Sequence, residues 1–290
     1  MLCLCLSMAG FLNSKMPKFE YYAAKLECAV RIAEMLKKEQ PRLSELEHEV
    51  YWLLGARKTK EEKHNFMIST MTDFESEYTN KLEKSIEQLD ETKALKTRHW
   101  AIFFNDYGCK DKKVINAGGE RVEVQFKEYF TIDAPSSIEQ CVKNAYTLAE
   151  IVPDIADSVK KLSIKTGDNV SFKIPVNPMH LYSYVDNFVV YYQRKQTGAE
   201  VRKAIEPILK EHGINADRKL RNLSGFDFKS EFSGSRFNGS YTQLISTVIA
   251  AELIKSRNGS PGLLTERIIT RKTQLSRLSP EEMVRALEGI

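Results

Sequence analysis

The chain has 290 residues, of which 42% are hydrophobic and 28% are charged. This composition is typical of an ordinary globular protein with one large domain or two modest ones, and it argues against intrinsic disorder. With 43 Lys and Arg against 39 Asp and Glu, the net charge of +4 is too small to indicate a nucleic-acid-binding protein, so any positive site must be local.

The cysteines and the apolar first residues restrict the cellular context. The five cysteines are odd in number and lack the spacing of metal ligands, which indicates free thiols in a reducing compartment and gives no support for a zinc site. The first twelve residues are apolar, but no positive charge precedes them and no clear cleavage site follows. We interpret residues 1–17 as an extension or a non-native start, with Met16 as an equally good initiator. No apolar run approaches the roughly 20 residues of a membrane-spanning helix, so no membrane partner is expected.

Residues 18–98 are predicted to form an all-helical N-terminal domain. Apolar residues recur at helical spacing in its first part, a second helix can start at Pro41, and the apolar face of that helix ends before Gly55. A third helix, long and rich in charge, is predicted from Glu61 to about Lys96.

Residues 99–257 are predicted to form an α+β domain, with an antiparallel or mixed sheet and packed helices. Ala101 to Phe104 reads as a strand, and Arg121 to Ile132 alternates as a longer strand after the polar turn Asn105 to Lys113. A helix is expected to start at Ser136 or Ser137, with an interruption near Pro153.

Two short strands follow in the central part of this domain. Val170, Phe172 and Ile174 alternate with polar residues, so Lys173 is expected on the face opposite the apolar side chains. Phe188 to Tyr192 reads as a second, buried strand because of its high β-propensity.

The rest of the chain is predicted to be helical around one polar stretch. Gly198 to His212 is an amphipathic helix, Ala216 to Gly239 is polar and basic, and Ser240 to Ser256 is the last strong helix. The tail, residues 258–290, shows little core signal beyond a terminal helix from Pro280 to Leu287.

Cations occur beside aromatic strands at three places. Converging cations can hold a phosphate, because Arg binds its oxygens bidentately and Lys supplies a point charge. On residue pattern alone, the alternative is that these side chains are solvated outward faces of strands. The groups are Lys127 with Tyr129, Lys173 with Tyr191, and Lys229 with Arg236 in a Gly/Ser-bearing loop.

In order and spacing, these segments resemble the phosphothreonine lyases of bacterial type III effectors, the OspF/SpvC family, together with Hop-A-type plant-pathogen effectors and the lyase modules of lanthipeptide synthetases. The family's Lys-x-His strand resembles Lys127–Tyr129, its catalytic-lysine strand Phe172–Pro175, its Gln-Phe-Thr-Leu-Tyr strand Asn187–Tyr191, and its two phosphate-binding arginines Lys229 and Arg236. The Asn-Pro between the strands and Ser240-Tyr241 are most similar to the Hop-A branch. The resemblance runs from roughly Phe126 to Leu253 and leaves the N-terminal helices unmatched.

The resemblance implies β-elimination of phosphate from phosphothreonine or phosphoserine, without metal or organic cofactor. Lys173 would be the general base, and the neighbouring cations would lower its pKa from the ~10.4 of a free lysine. Tyr129 would be the general acid and Tyr191 would orient the substrate backbone. The phosphate would be held by Lys127, Lys229 and Arg236, and His180 is a further candidate.

Three departures from the family favour a second interpretation. Tyr129 stands where the effector lyases have His, and Lys229 stands where they have an arginine. They also carry an arginine about ten residues before the strand tyrosine, which this chain lacks. A catalytically inactive effector that binds a phosphorylated segment or a host protein is therefore the rival hypothesis.

The expected partners and location depend on which relative the chain follows. As an effector it would be secreted by a bacterial type III system into a host cell, with the N-terminal helices binding a secretion chaperone or a host protein. As a biosynthetic lyase it would act in the bacterial cytoplasm and its helices would bind a leader peptide. A third interpretation, a helical scaffold with an unrelated α+β domain, would require Lys127, Lys173 and Arg236 to point to separate surfaces.

Overall fold

The computed structural model describes most of the chain with gaps at both internal and N-terminal positions. The described residues are 22–70, 73–105, 112–117, 119–132, 137–185, 187–216, 225–229, 239–257 and 259–290. Residues 1–17 lie outside this part. Among the helices that the structure describes, none combines the length and the apolar character needed to cross a membrane.

The described part contains eleven α-helices and seven β-strands, which confirms the predicted α+β class. The helices are α1 (Tyr22–Leu36), α2 (Leu43–Gly55), α3 (Lys60–Thr70), α4 (Asp73–Glu87), α5 (Ile138–Glu150), α6 (Val152–Thr166), α7 (Pro178–Ser183), α8 (Thr197–Glu211), α9 (Tyr241–Ser256), α10 (Pro261–Leu275) and α11 (Pro280–Glu288). The strands are β1 (Lys93–Lys96), β2 (Trp100–Phe104), β3 (Lys113–Ala117), β4 (Glu120–Tyr129), β5 (Ser171–Pro175), β6 (Val189–Tyr192) and β7 (Gly225–Lys229).

All seven strands form one antiparallel sheet, and β4 connects three of the others. The sheet runs β1-β2-β5-β6-β4-β3, with β7 also paired to β4. Lys127 of β4 pairs with Tyr191 of β6 and with Gly225 of β7, so β6 and β7 lie on opposite sides of β4. The first half of β4 pairs with β3. The ten-residue strand β4 therefore sets the register of β3, β6 and β7.

One face of the sheet is the apolar core predicted from the alternating residues around Lys173. Val170, Phe172 and Ile174 are fully buried, whereas Lys173 is half-buried on the other face. The rings of Phe103 and Phe172 stack with their centroids 4.5 Å apart. The prediction that Lys173 lies opposite the apolar residues is confirmed.

Several predicted helix boundaries are also confirmed. The side chain of Ser137 accepts a hydrogen bond from the backbone N–H of Gln140, so Ser137, of the two serines considered, caps α5. The expected interruption near Pro153 separates α5 from α6, and Ser240 caps α9. These boundaries follow from local chemistry, because serine oxygens satisfy the first free amides of a helix.

The predicted long helix from Glu61 to Lys96 is wrong. The segment contains two helices, α3 and α4, and its last residues form strand β1, which pairs with β2. All four residues of β1, KALK, are exposed. Because no buried face selects a strand pattern here, the strand conformation comes from pairing with β2 and was not visible in the sequence.

Strands β3 and β7 and helix α10 also depart from the predictions. The predicted polar turn ends where β3 begins at Lys113, and β7 lies inside the stretch predicted only to be polar and basic. In the tail, α10 buries Leu264, Ile268 and Leu275, so the prediction of little core signal is wrong there. The predicted terminal helix is confirmed as α11.

The N-terminal helices pack against the C-terminal ones. Helices α1 and α2 contact each other, α2 also contacts α9, and α1 contacts α10. Buried side chains of all four helices belong to the same hydrophobic core as the sheet. Helices α9 and α10, near the end of the chain, thus connect the N-terminal helices to the rest of the core.

The turn between α6 and β5 is tied to the turn between β6 and α8. Gly167 ends α6 with a left-handed φ of 62°, a conformation that suits glycine. The carboxylate of the fully buried Asp168 accepts hydrogen bonds from the backbone N–H groups of Gln193 (3.0 Å) and Arg194 (2.9 Å) and from the Thr197 hydroxyl (2.6 Å). One side chain therefore joins the segment entering β5 to the segment leaving β6.

Replacing Asp168 by Ala should lower the free energy of unfolding by about 3 kcal/mol, since three buried donors lose their acceptor and each unsatisfied group costs about 1–3 kcal/mol before relaxation. Urea unfolding measures the change. Asp157→Ala, at an exposed position of α6 paired with Lys161, is the matched control and should cost less than about 1 kcal/mol. Equal losses in the two variants would contradict the role given to Asp168.

Lys25 is a buried amine between α1 and α2. Its ammonium nitrogen donates to the backbone carbonyls of Leu53 (2.7 Å) and Leu54 (3.2 Å) near the end of α2. Burial, together with the positive charge of Lys272, lowers the pKa of Lys25 to about 7. The folded protein consequently gives up this proton far more readily than an unfolded chain does.

We expect a stability that rises with pH between 7 and about 9.5, because over this window the unfolded chain, with a lysine pKa of ~10.4, binds a proton that folded Lys25 has lost. The Lys25→Met variant should show a smaller rise, measured by urea unfolding at several pH values. Lys84→Met, an exposed lysine of α4, is the control and should keep the wild-type slope. A wild-type slope in Lys25→Met would rule out this explanation.

Candidate active site

Four of the predicted site residues lie on one face of the sheet, on three adjacent strands. Lys127 and Tyr129 are two residues apart in β4, and Lys127 pairs directly with Tyr191 of β6. Lys173 of β5 pairs with Val189, two residues from Tyr191. Since paired residues and residues two apart in a strand share a face, the structure brings Lys127, Tyr129, Lys173 and Tyr191 together on one side.

Lys173 lies against two aromatic rings on this face. Its ammonium nitrogen is 4.0 Å from the ring centroid of Trp100 and 5.5 Å from that of Tyr191. Trp100 comes from β2, two residues before Ile102, which pairs with Lys173. A cation over an aromatic face is stabilised electrostatically, so these rings hold the position of the Lys173 ammonium.

Lys127 forms a buried ion pair that the sequence did not reveal. Its side chain is nearly inaccessible, and the ammonium nitrogen is 2.7 Å from a carboxylate oxygen of Asp227. Burial alone would lower the pKa of Lys127, but Asp227 and the adjacent Tyr129 and Tyr191 outweigh it and raise that pKa well above its ordinary value. Lys127 is therefore a fixed positive charge, already largely compensated by a carboxylate.

Asp227 joins three elements around Lys127. It lies in β7 opposite Gln125 of β4, and its carboxylate also accepts a hydrogen bond of 2.6 Å from the backbone N–H of Tyr241 in α9. The alternation of Phe226, Asp227 and Phe228 was the available signal, because it puts Asp227 on the face opposite the two phenylalanines. Which strand β7 would pair with, and in which register, could not be read from that alternation.

Tyr129 completes the row at the end of β4. Its hydroxyl oxygen is 3.4 Å from the Thr242 hydroxyl in α9, and the Lys127 ammonium lies 5.0 Å from its ring centroid. The side chain is largely buried. The Tyr129 hydroxyl therefore lies near the start of α9.

A cavity of about 280 Å³ lies beside this row, between the sheet and the helices. The sheet contributes Trp100 and Tyr129, and α2 and the α7 region contribute further aromatic side chains. We call it the Trp100 cavity. Its lining residues are Tyr51, Trp52, Leu54, Gly55, His99, Trp100, Tyr129, His180, Tyr184, Val185, Thr242 and Lys272.

His180 lies in the wall of the Trp100 cavity. Its ring centroid is 4.9 Å from that of Trp100 and 4.7 Å from that of Tyr184. Asn177 caps the short helix α7 that carries it, by accepting from the backbone N–H of Met179. The sequence placed His180 near the site, and a role for it in the chemistry stays a prediction.

The two predicted phosphate ligands of the polar stretch are not both visible. The backbone of Lys229 pairs with Glu123 at the end of β7, but its side chain lies outside the described part. Arg236 lies outside the described residues altogether. Their roles, and the like-charge crowding of Lys173 that they were expected to cause, stay predictions.

Within the described ranges, no group of three or more His, Cys, Asp or Glu side chains could hold a metal ion. Cys28 and Cys141 are buried free thiols, as expected for these two cysteines.

The sequence matches no protein-family model and no curated protein. Among solved structures, the fold is similar to that of an effector protein from Pseudomonas syringae pv. syringae strain 61. The TM-score is 0.40 and the sequence identity 10%, over 89% of this chain and 95% of that chain. At this distance the likeness carries no argument about the site.

Asp227→Asn should lower the free energy of unfolding by about 3 kcal/mol, since it leaves a buried ammonium without its counter-charge. The asparagine oxygen can still accept from Tyr241, so the effect isolates the charge. In the Lys127→Met background the same substitution should cost less, because the ammonium is gone. Strictly additive losses in urea unfolding of the two single variants and the double variant would contradict the coupling.

Proposed function

We propose that this protein is a phosphothreonine- or phosphoserine-lyase-like enzyme that eliminates phosphate from a phosphorylated protein or peptide. The observation that best supports the proposal is the shared face of the sheet, where Lys173, Tyr191, Lys127 and Tyr129 form a continuous row beside the Trp100 cavity. The resemblance to the lyase family assigns Lys173, Tyr191 and Tyr129 to catalysis and Lys127 to phosphate binding, and these residues come from segments far apart in the chain.

In the proposed reaction, the neutral amine of Lys173 takes the Cα proton of the phosphorylated residue. The electron pair of that C–H bond forms the Cα=Cβ double bond, and the Cβ–O bond breaks with its electrons leaving on the phosphate. The resulting Lys173 ammonium is stabilised by the faces of Trp100 and Tyr191. Tyr129 donates a proton to the departing oxygen and Tyr191 orients the substrate backbone.

Phosphate binding in this proposal depends most on the polar segment after β7. The Lys127 charge is largely compensated by Asp227, so Lys127 alone offers little to a dianion. Lys229 and Arg236 would supply most of the attraction and stabilise the charge that develops on the leaving phosphate. The scheme needs neither a metal nor an organic cofactor.

The rival function is a catalytically inactive effector that binds a phosphorylated segment or a host protein. Two contacts favour it, namely the Lys127–Asp227 ion pair and the placement of the Lys173 ammonium on Trp100, since both suit a permanently protonated lysine. Secretion through a type III system, with the N-terminal helices binding a chaperone or host protein, belongs to either version. A lanthipeptide-type lyase in the bacterial cytoplasm is the biosynthetic alternative.

Mass spectrometry of phosphothreonine and phosphoserine peptides incubated with the protein distinguishes these functions. Elimination removes phosphoric acid, about 98 Da, whereas hydrolysis removes about 80 Da, and Lys173→Ala should reduce the elimination rate by at least about a thousandfold as expected for loss of a catalytic base. Lys84→Ala, at an exposed position of α4, is the control. If peptides keep their mass but still bind in a manner that Arg236→Ala abolishes, the lyase proposal fails and the binding function stands.

A further inference from the structure

A second cavity, of about 320 Å³, lies in the helical region between α1, α2 and the start of α3. We call it the basic cavity. Its lining includes four basic and two acidic side chains, namely Arg31, Lys58, Lys60, Lys63, Glu27 and Glu49. The lyase resemblance does not reach this part of the chain.

Two of the four basic residues are already ion-paired. Arg31 donates to Glu49 at 2.8 Å. Lys58, which is nearly buried, lies 3.4 Å from a carboxylate oxygen of Glu62 in the next turn. These pairs fix the geometry of the cavity wall and leave little net charge of their own.

Lys60 and Lys63 differ from the other two because neither ammonium makes an ion pair within the described part of the chain. Lys63 is half-buried, and its nitrogen lies 3.4 Å from the Tyr184 hydroxyl and 4.7 Å from the Tyr184 ring centroid. Burial lowers the pKa of Lys63. An ammonium that has lost part of its hydration without forming an ion pair is stabilised when an anion binds next to it.

The remaining acidic side chain, Glu27, is occupied by a backbone group. Its carboxylate accepts a hydrogen bond of 3.1 Å from the backbone N–H of Lys60, the first residue of α3. Against the larger effect of burial, the Glu27 carboxylate raises the pKa of Lys63. Lys60 and Lys63 are nevertheless the two lining lysines that make no ion pair within the described part of the chain.

We propose that the basic cavity is a binding site for a dianionic phosphoryl group, separate from the row around Lys173. A phosphate ester carries a charge of about −1.5 to −2 at neutral pH and can bind both ammonium groups that make no ion pair. The group would be carried either by a small phosphomonoester or by a phosphorylated side chain of a partner protein. This inference does not depend on the lyase function.

The position of the basic cavity places its ligand next to the Trp100 cavity. Trp52 and Tyr184 line both cavities, and their ring centroids are 4.8 Å apart. The two rings thus form a shared wall, so an anion bound in the basic cavity lies close to rings that also line the Trp100 cavity. Tryptophan fluorescence is consequently a direct probe of occupancy.

Isothermal titration with inorganic phosphate, phosphoserine, a phosphopeptide and its unphosphorylated form, at constant ionic strength, tests the site on the full chain. We expect inorganic phosphate, phosphoserine and the phosphopeptide to bind to the wild type. The double variant Lys60→Gln/Lys63→Gln should lose at least tenfold in affinity for them. Lys84→Gln, an exposed lysine of α4, should bind as the wild type does. Fluorescence of the Trp100→Phe variant, in which Trp52 is the remaining tryptophan, should change on binding with the same dependence.

Each arm has a defined outcome. A phosphopeptide that binds more tightly than phosphoserine identifies a partner protein as the source of the anion, and equal affinities identify a small phosphomonoester. Equal binding by the double variant and the wild type, or by the phosphorylated and unphosphorylated peptides, would overturn the proposal. The exposed substitution Lys60→Gln alone should still weaken binding several-fold if the double variant folds poorly.

The Arg236→Gln background separates this site from the one proposed around Lys173. Phosphate binding that persists there and is still lost on removing Lys60 and Lys63 supports the basic cavity, whatever the result for the lyase reaction. Binding that disappears with Arg236→Gln alone overturns it.

Discussion

The buried carboxylate of Asp168 is the contact on which the candidate active site depends most. It binds three donors at the start of α8 while sitting just before β5, so it fixes how far β5 and β6 are offset along their axes. A one-residue slip between these strands would turn Lys173 or Tyr191 to the core face. The relative position of the two residues is thus fixed by a polar contact at the end of the strands as well as by the apolar face beneath them.

Much of the fold could be predicted in segments whose own residues form a helix, strand or cap pattern. The alternation from Val170 to Ile174 and the serines at the starts of α5 and α9 express local chemistry, and the structure has them as predicted. Strands β1 and β7 are different, because each is defined by its pairing: β1 pairs with the next strand, β2, and β7 with the distant strand β4. Neither the KALK segment nor the residues around Asp227 indicate which strand each segment will pair with.

The same distinction applies to the site. The alternation of side chains along a strand was enough to predict that Lys127 and Tyr129 share a face and that Lys173 lies on the face opposite the core. What sequence could not supply was the register that aligns Lys127 with Tyr191, and it gave no reason to pair Lys127 with Asp227. An ion pair between residues one hundred positions apart is a property of the folded sheet. Because of this ion pair, Lys127 is a compensated charge and not the free phosphate ligand that the resemblance implied.

Strand β1 has a consequence for the behaviour of the protein in solution. It is the terminal strand of the sheet order, and the described part of the chain contains no strand on its outer side. A free strand edge can pair with the edge of another molecule and begin aggregation. Here the edge is only four residues long and a lysine stands at each end of it. So short an edge, with a lysine at each end, offers few backbone groups to a second molecule and disfavours sheet-to-sheet association.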